Sequence, residues 1–125
     1  MTTAEFITDF FTSFTEQALR PGTDPESLVD RYYTPDIVQI SDGVEIDRAR
    51  LIAHLRPIRK NLVDYRFEVH DAVEDGDRIA ARFTIHARMR KAGPVTTEVH
   101  MFAELAPDRR MRRTHQLTRL VREAP

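Results

Sequence analysis

The strongest constraint on the fold lies in the second half of the chain, where four long stretches, Asp64–Val73, Arg78–Arg90, Val95–Leu105 and Met111–Val121, are separated by short turn signals. The separators Glu74-Asp75-Gly76-Asp77, Lys91-Ala92-Gly93-Pro94 and Ala106-Pro107-Asp108-Arg109 supply positive φ, fixed φ or a capping side chain. Strands joined this closely can pair only antiparallel, so the segment reads as a meander. Behind helices, a curved meander makes a half-barrel, and its interior is where a small molecule would bind.

The first half supplies those helices. Thr2-Thr3-Ala4-Glu5 has the form of a capping box, and Phe6, Phe10, Phe14 and Ala18 then recur every fourth residue, with Ile7 and Phe11 widening the stripe. Asp24-Pro25-Glu26 opens a second helix carrying Leu28, Val29, Tyr32 and Tyr33, which Pro35 stops. Ile37, Val38 and Ile40 form a short strand ending at Ser41-Asp42-Gly43. Asp47 caps a third helix with Leu51, Ile52, Leu55 and Ile58, which Pro57 should kink or end early.

Strand alternation assigns two faces to the sheet. Tyr65, Phe67, Val69, Ile79 to Met89 at alternate positions, and Val95, Val99, Met101, Ala103 and Leu105 face the helices. The reverse face carries Arg66, Glu68, His70, Arg82, Thr84, His86, Arg88, Glu98, His100, Phe102 and Glu104. Opposite charges across a strand pair stabilise by a few tenths to about 1 kcal/mol. This favours Arg88 opposite Glu98, hence His86 opposite His100, Thr84 opposite Phe102 and Arg82 opposite Glu104. Across the next turn, Ala106 opposite Met111 sets Glu104 against Arg113, Phe102 against His115, His100 against Leu117 and Glu98 against Arg119. The centre of the reverse face is then Thr84, His86, His100, Phe102, His115 and Leu117, flanked by charges, which has the form of a homodimer interface. A plain solvated face is the simpler alternative. The same register turns Arg112, Thr114, Gln116, Thr118 and Leu120 inward, and buried hydroxyl and amide groups suit a pocket lining better than packing.

Composition narrows the function classes. A length of 125 residues fits one domain, 1–125, and a formal charge of −1 without an aromatic-and-basic stripe gives no platform for nucleic acid. Without cysteine there are no disulfides or thiolate metal sites, and a cytoplasmic address is the default. The N-terminus lacks a basic leader region, and no apolar run approaches the roughly 20 residues of a membrane span.

Candidate chemistry is sparse. His70, His86, His100 and His115 share the reverse face, where a packed, pH-sensitive interface competes with metal binding; the carboxylates there have arginine neighbours, and no metal is expected. His54 either lines the pocket or stands exposed on the third helix. Asp42 is either a carboxylate base at a pocket mouth or a turn residue beside Gly43. No glycine-rich phosphate loop, nucleophile elbow or metal-binding helix motif is present.

The order of elements, with Tyr33-Thr34-Pro35-Asp36-Ile37-Val38 leading into the first strand, Asp47 opening the third helix, and Val69-His70-Asp71 through Gly76-Asp77-Arg78-Ile79-Ala80-Ala81 in the meander, resembles the nuclear-transport-factor-2-like superfamily, particularly its SnoaL-like branch. The resemblance implies a conical α+β barrel with a deep pocket, commonly a homodimer through the sheet. Such proteins include steroid isomerases, polyketide cyclases, dehydratases, epoxide hydrolases and non-catalytic binding modules. Residue by residue the enzymatic patterns fail. The ketosteroid isomerase base would fall at Ser41, with Asp42 one residue late; the oxyanion Asp would fall near Met101; and no Tyr precedes Tyr32. The cyclase Asp of the last strand is missing from Met111–Arg122, and Ala80–Arg90 contains no Asp for an epoxide-hydrolase set.

The sequence therefore predicts an α+β conical half-barrel, a curved antiparallel sheet wrapped on three N-terminal helices. The expected partners are a second copy of the chain and a small apolar organic molecule, with no cofactor, nucleic acid or membrane. The pocket is expected from Phe14, Tyr33, His54, Phe67, Phe83, Met101, Thr114, Gln116 and Thr118. Two alternatives stand beside this binding protein: an isomerase, cyclase or dehydratase using Asp42 as proton acceptor, and an interaction module whose pocket is filled by its own side chains.

Overall fold

The computed structural model describes residues 1–121. Helix α1 spans Thr3–Leu19, and the capping box is formed: Thr2 Oγ1 accepts from the Glu5 amide at 3.1 Å while Glu5 Oε1 accepts from the Thr2 amide at 3.3 Å. Helix α2, Pro25–Tyr32, starts at Asp24, whose carboxylate takes the Ser27 amide at 3.1 Å. It passes straight into strand β1, Tyr33–Ser41. Pro35 follows the helix end by three residues, as a stop signal does. It sits inside β1, where pairing is interrupted between Tyr33 and Val38, so its missing N–H breaks no ladder bond.

Strand β2, Val44–Asp47, was not anticipated from sequence; it pairs with β1 around a two-residue turn at Asp42 and Gly43, both at positive φ (51° and 83°). Asp47 then caps α3, Arg48–Asn61, by accepting the Arg50 amide at 3.0 Å. The helix continues through Pro57 to Asn61. Tertiary anchoring outweighs the lost helical bond: Leu55 is fully buried, and Arg59 Nε donates to the Ala18 carbonyl at 2.7 Å.

Strands β3 (Leu62–Asp75), β4 (Arg78–Met89), β5 (Gly93–Leu105) and β6 (Met111–Leu120) form the antiparallel meander. The sheet order is β2-β1-β6-β5-β4-β3, and β1 lies parallel to β6, an exception to the all-antiparallel expectation. Chain distance permits it, because α3 and the whole meander separate the two strands. Among the described residues the result is α+β: three helices and a curved, unclosed six-stranded sheet.

The β5–β6 register sets Glu104 opposite Arg113, Phe102 opposite His115, His100 opposite Leu117 and Glu98 opposite Arg119, as charge pairing indicates; a bulge places Leu105, not Ala106, opposite Met111. The β4–β5 register is four residues away from the charge-based one. Thr84 faces Glu98, Arg82 faces His100, and Met89 faces Gly93. A tight turn at Gly93 (φ 74°) lets the strands pair to their ends, and those added ladder bonds outweigh charge pairs worth a few tenths of a kcal/mol each. Because the offset is even, the two faces keep their membership.

Candidate functional site

The inner face of the sheet is covered unevenly. Ile79, Ala81 and Phe83 on β4, Val99 to Leu105 at alternate positions on β5, and Thr114 on β6 are buried. Toward the β4–β5 turn, Phe67, Ile85, Thr97, Gln116 and Thr118 are only half-buried, and Leu120 is 64 % exposed. The ladder sets Phe67, Ile85, Thr97 and Leu120 side by side in one row across four strands, with Val99 and Thr118 in the next. One end of the inner face is therefore less covered than the rest, with a mainly apolar row half-buried.

The rest of the interior is packed, and the packing reaches Phe67 at its border. Phe11 stacks between Phe67 and Phe83, with ring centroids 5.7 and 5.2 Å away, and Phe10 and Phe14 meet Tyr33 edge-on at 5.6 and 5.8 Å. Burial alone pushes the Tyr33 phenol far up, so it stays protonated. The Thr114 hydroxyl is buried without a hydrogen-bond partner.

The polar rim of the less covered end comes from β1 and β6. Gln116 Nε2 donates to Ser41 Oγ at 3.0 Å. Asp42 Oδ1 accepts the Thr118 amide at 2.8 Å, and the Thr118 hydroxyl donates to the other carboxylate oxygen. Those bonds, the hydroxyl foremost, hold the Asp42 carboxyl below its ordinary range. That is the wrong direction for a base at neutral pH, and both oxygens are occupied.

Of the residues expected in a pocket, Tyr33, Phe83, Met101 and Thr114 lie in the packed part, Phe14 and Phe67 border it, and Gln116 and Thr118 stand at the less covered end. His54 is exposed on α3 and joins neither group. Ser41, Ile85 and Thr97 belong to the less covered end and were missed. Ile85 and Thr97 have the right strand parity, but only the register shows that they share a row with Phe67.

The outer face has a different character. Phe102 and Leu117 are 68 % and 62 % exposed, and beside Phe102 runs a groove of about 350 Å³ lined by Val38, Ile40, Arg78, Glu104, Arg113 and His115. Glu104 lies between Arg78 and Arg113, but Glu98 lies between Thr84 and Arg119, so a single charge triad forms where two were expected. Thr84 is buried and 2.7 Å from His70 Nε2, so it is not available to a partner. His86 Nε2 lies 2.8 Å from Glu68, which lowers the Glu68 pKa. His100 and His115 are exposed.

The sequence pattern of the SnoaL-like domain family matches residues 7–114. No curated protein matches the chain. Solved structures share the fold at low identity. A SnoaL-like polyketide cyclase from Agrobacterium tumefaciens superposes with a TM-score of 0.63 at 16% identity, covering 95% of this chain and 93% of its own. A loop-truncation variant of IdmH, a protein of Streptomyces antibioticus, gives 0.68 at 15% identity, covering 94% and 92%. A protein with a ketosteroid isomerase-like fold from Catenulispora acidiphila, in complex with trimethylamine, gives 0.66 at 13% identity, covering 92% and 85%.

Proposed function

The chain belongs to the SnoaL-like domain family, and from that premise we propose that it binds a small, mostly apolar organic molecule carrying one or two carbonyl or hydroxyl groups. The site is the less covered end of the interior. The observation that carries the reading is the burial gradient along the inner face: an apolar floor at Phe67 and Ile85, half-uncovered, with Gln116 and Thr118 at its edge. An apolar surface with a few fixed polar groups suits such a ligand. The orphaned Thr114 hydroxyl, one β6 position inward of Gln116 on the same face, is a donor for a carbonyl that reaches past the rim.

Binding without established catalysis is the preferred form of this reading. In the enzymatic alternative Asp42 would take a proton, and its occupied oxygens and lowered pKa argue against that role. A filled interior serving only an interaction module draws support from the Phe11, Phe67 and Phe83 ring contacts. We further place a second copy of the chain on the outer sheet face, around Phe102 and Leu117, in a cytoplasmic protein.

Titration calorimetry with alizarin, a flat aromatic dione bearing hydroxyl groups, tests the binding reading. Saturable binding is expected, weakened about tenfold by Thr114→Val, while stability stays level or rises because a buried unpaired hydroxyl is removed. Absence of heat with alizarin and with its smaller ketone analogues would favour the filled interior.

A further inference from the structure

Away from the sheet interior, a second cleft of about 280 Å³ opens between α1, the end of α2 and the β5–β6 turn. Three of its polar lining residues, Ser13, Arg31 and Tyr32, are joined by a hydrogen-bond chain that runs through Gln17. The Arg31 guanidinium can only donate, so the Gln17 side-chain oxygen, 2.6 Å from Nη1, is the acceptor. That fixes the amide: Gln17 Nε2 donates to the Tyr32 phenol oxygen at 2.7 Å. Tyr32 and Ser13 are 2.7 Å apart, and whichever donates to the other, one hydroxyl proton is left over. Its remaining acceptor from Ser13 is the Phe10 carbonyl at 3.5 Å, too long for a good bond. Ser13 and Tyr32 both line the cleft, so this weakly held proton belongs to its wall.

The charges on the walls are matched unevenly. Arg109 pairs with Glu74 at 2.9 Å and Arg110 with Asp108 at 2.7 Å. Arg31 on α2 and Asp9 on α1 belong to none of the ion pairs among the described residues. Asp9 precedes Ser13 by one helical turn on the same face, and both line the cleft. Arg109 supplies a third observation. It sits at φ 69°, a conformation costing a side-chain-bearing residue about 1 kcal/mol or more, where glycine would serve the turn better. Its guanidinium stands 4.2 Å over the Phe6 ring and walls the cleft.

We propose that this cleft binds a free α-amino acid with an apolar side chain. The carboxylate meets Arg31 and the weakly held hydroxyl proton, the ammonium meets Asp9, and the side chain lies against Phe6 and Phe10. A simple anion would satisfy Arg31 but face Asp9 unneutralised, and a simple amine would do the reverse; only a dipolar ligand answers both. A cleft of this volume accommodates a ligand of this size. This site is independent of the interior one.

The test is an NMR titration with phenylalanine, phenylacetate and phenethylamine as probes. Saturable shifts at the Asp9, Ser13 and Arg31 amides are expected with phenylalanine, at an affinity about tenfold above either half-molecule. Arg31→Gln and Asp9→Asn should each weaken phenylalanine about tenfold, and Asp9→Asn should bring phenylacetate closer to it. Both positions are exposed, and amide dispersion verifies the fold of each variant. Phenylacetate binding as tightly as phenylalanine to the wild type overturns the proposal. So does unchanged binding in both variants, or the absence of saturable shifts up to about 10 mM.

Discussion

Asp42 Oδ1 accepts the backbone N–H of Thr118 at 2.8 Å, at the point where β1 ends beside β6. The Asp42 amide donates in turn to the Gln116 carbonyl at 3.0 Å, so one residue closes the parallel seam in both directions. Beyond Ser41 no further β1 residue pairs with β6, and the carboxylate takes the place of the next strand carbonyl. This makes Asp42 a strand cap at the rim of the proposed site.

The cap gives a pH dependence. The folded-state pKa of Asp42 is depressed below its ordinary 3.8, so its contribution is present above that value and is lost as pH falls through the lower folded value. Asp42→Asn keeps an oxygen for the Thr118 amide and tolerates the positive φ. Thermal melts of this variant should therefore show a smaller drop than the wild type on acidification below pH ~4. Parallel acid profiles would remove the carboxylate from the account.

Arg59 joins α3 to the end of α1. Its Nε donates to Ala18 O at 2.7 Å and its Nη2 to the Thr23 carbonyl, both carbonyls lying at or beyond the α1 terminus. Arg59→Met should cost about 2 kcal/mol in urea unfolding, the range for hydrogen bonds to a charged donor. A loss within a few tenths would mean that water replaces the arginine.

Phe102 stands on the outer face with its ring exposed beside the groove. Light scattering should give a dimer for the wild type at micromolar concentration and a monomer for Phe102→Asp, because the new charge would be desolvated within an apolar contact. A monomeric wild type would contradict the assembly proposed for this face.

Gln116 holds Ser41 across the parallel seam. Gln116→Leu should lower stability by no more than about 1 kcal/mol and weaken alizarin binding roughly fivefold. A loss of several kcal/mol with unchanged affinity would make Gln116 a structural residue alone.

The sheet was legible where periodicity is strict. From Ile79 to Met89 the apolar residues fall on every second position, which assigns the faces whatever the register. The β4–β5 register was not legible from charge, because the Arg88 and Glu98 attraction is small beside the ladder bonds of a tight turn at Gly93. Val44-Glu45-Ile46-Asp47 is too short to declare itself a strand, and without it the seam between β1 and β6 was invisible. The contact from Asp42 to Thr118 spans that seam, so sequence could offer Asp42 only as a turn or a base. His54 lies one position from the buried Leu55, a rotation of about 100° that decides between interior and solvent. The less covered end of the inner face depends on how far the helices reach over the sheet, which no local pattern encodes.

The most direct test of interior binding is a methyl NMR titration with alizarin, using Ile85 and Thr97 as inner-face reporters and Val38 and Leu117 as outer-face reporters. Saturable shifts at Ile85 and Thr97, with Val38 and Leu117 unmoved, are the expected result. Shifts confined to Val38 and Leu117 would place the ligand in the groove beside Phe102 and contradict the interior site.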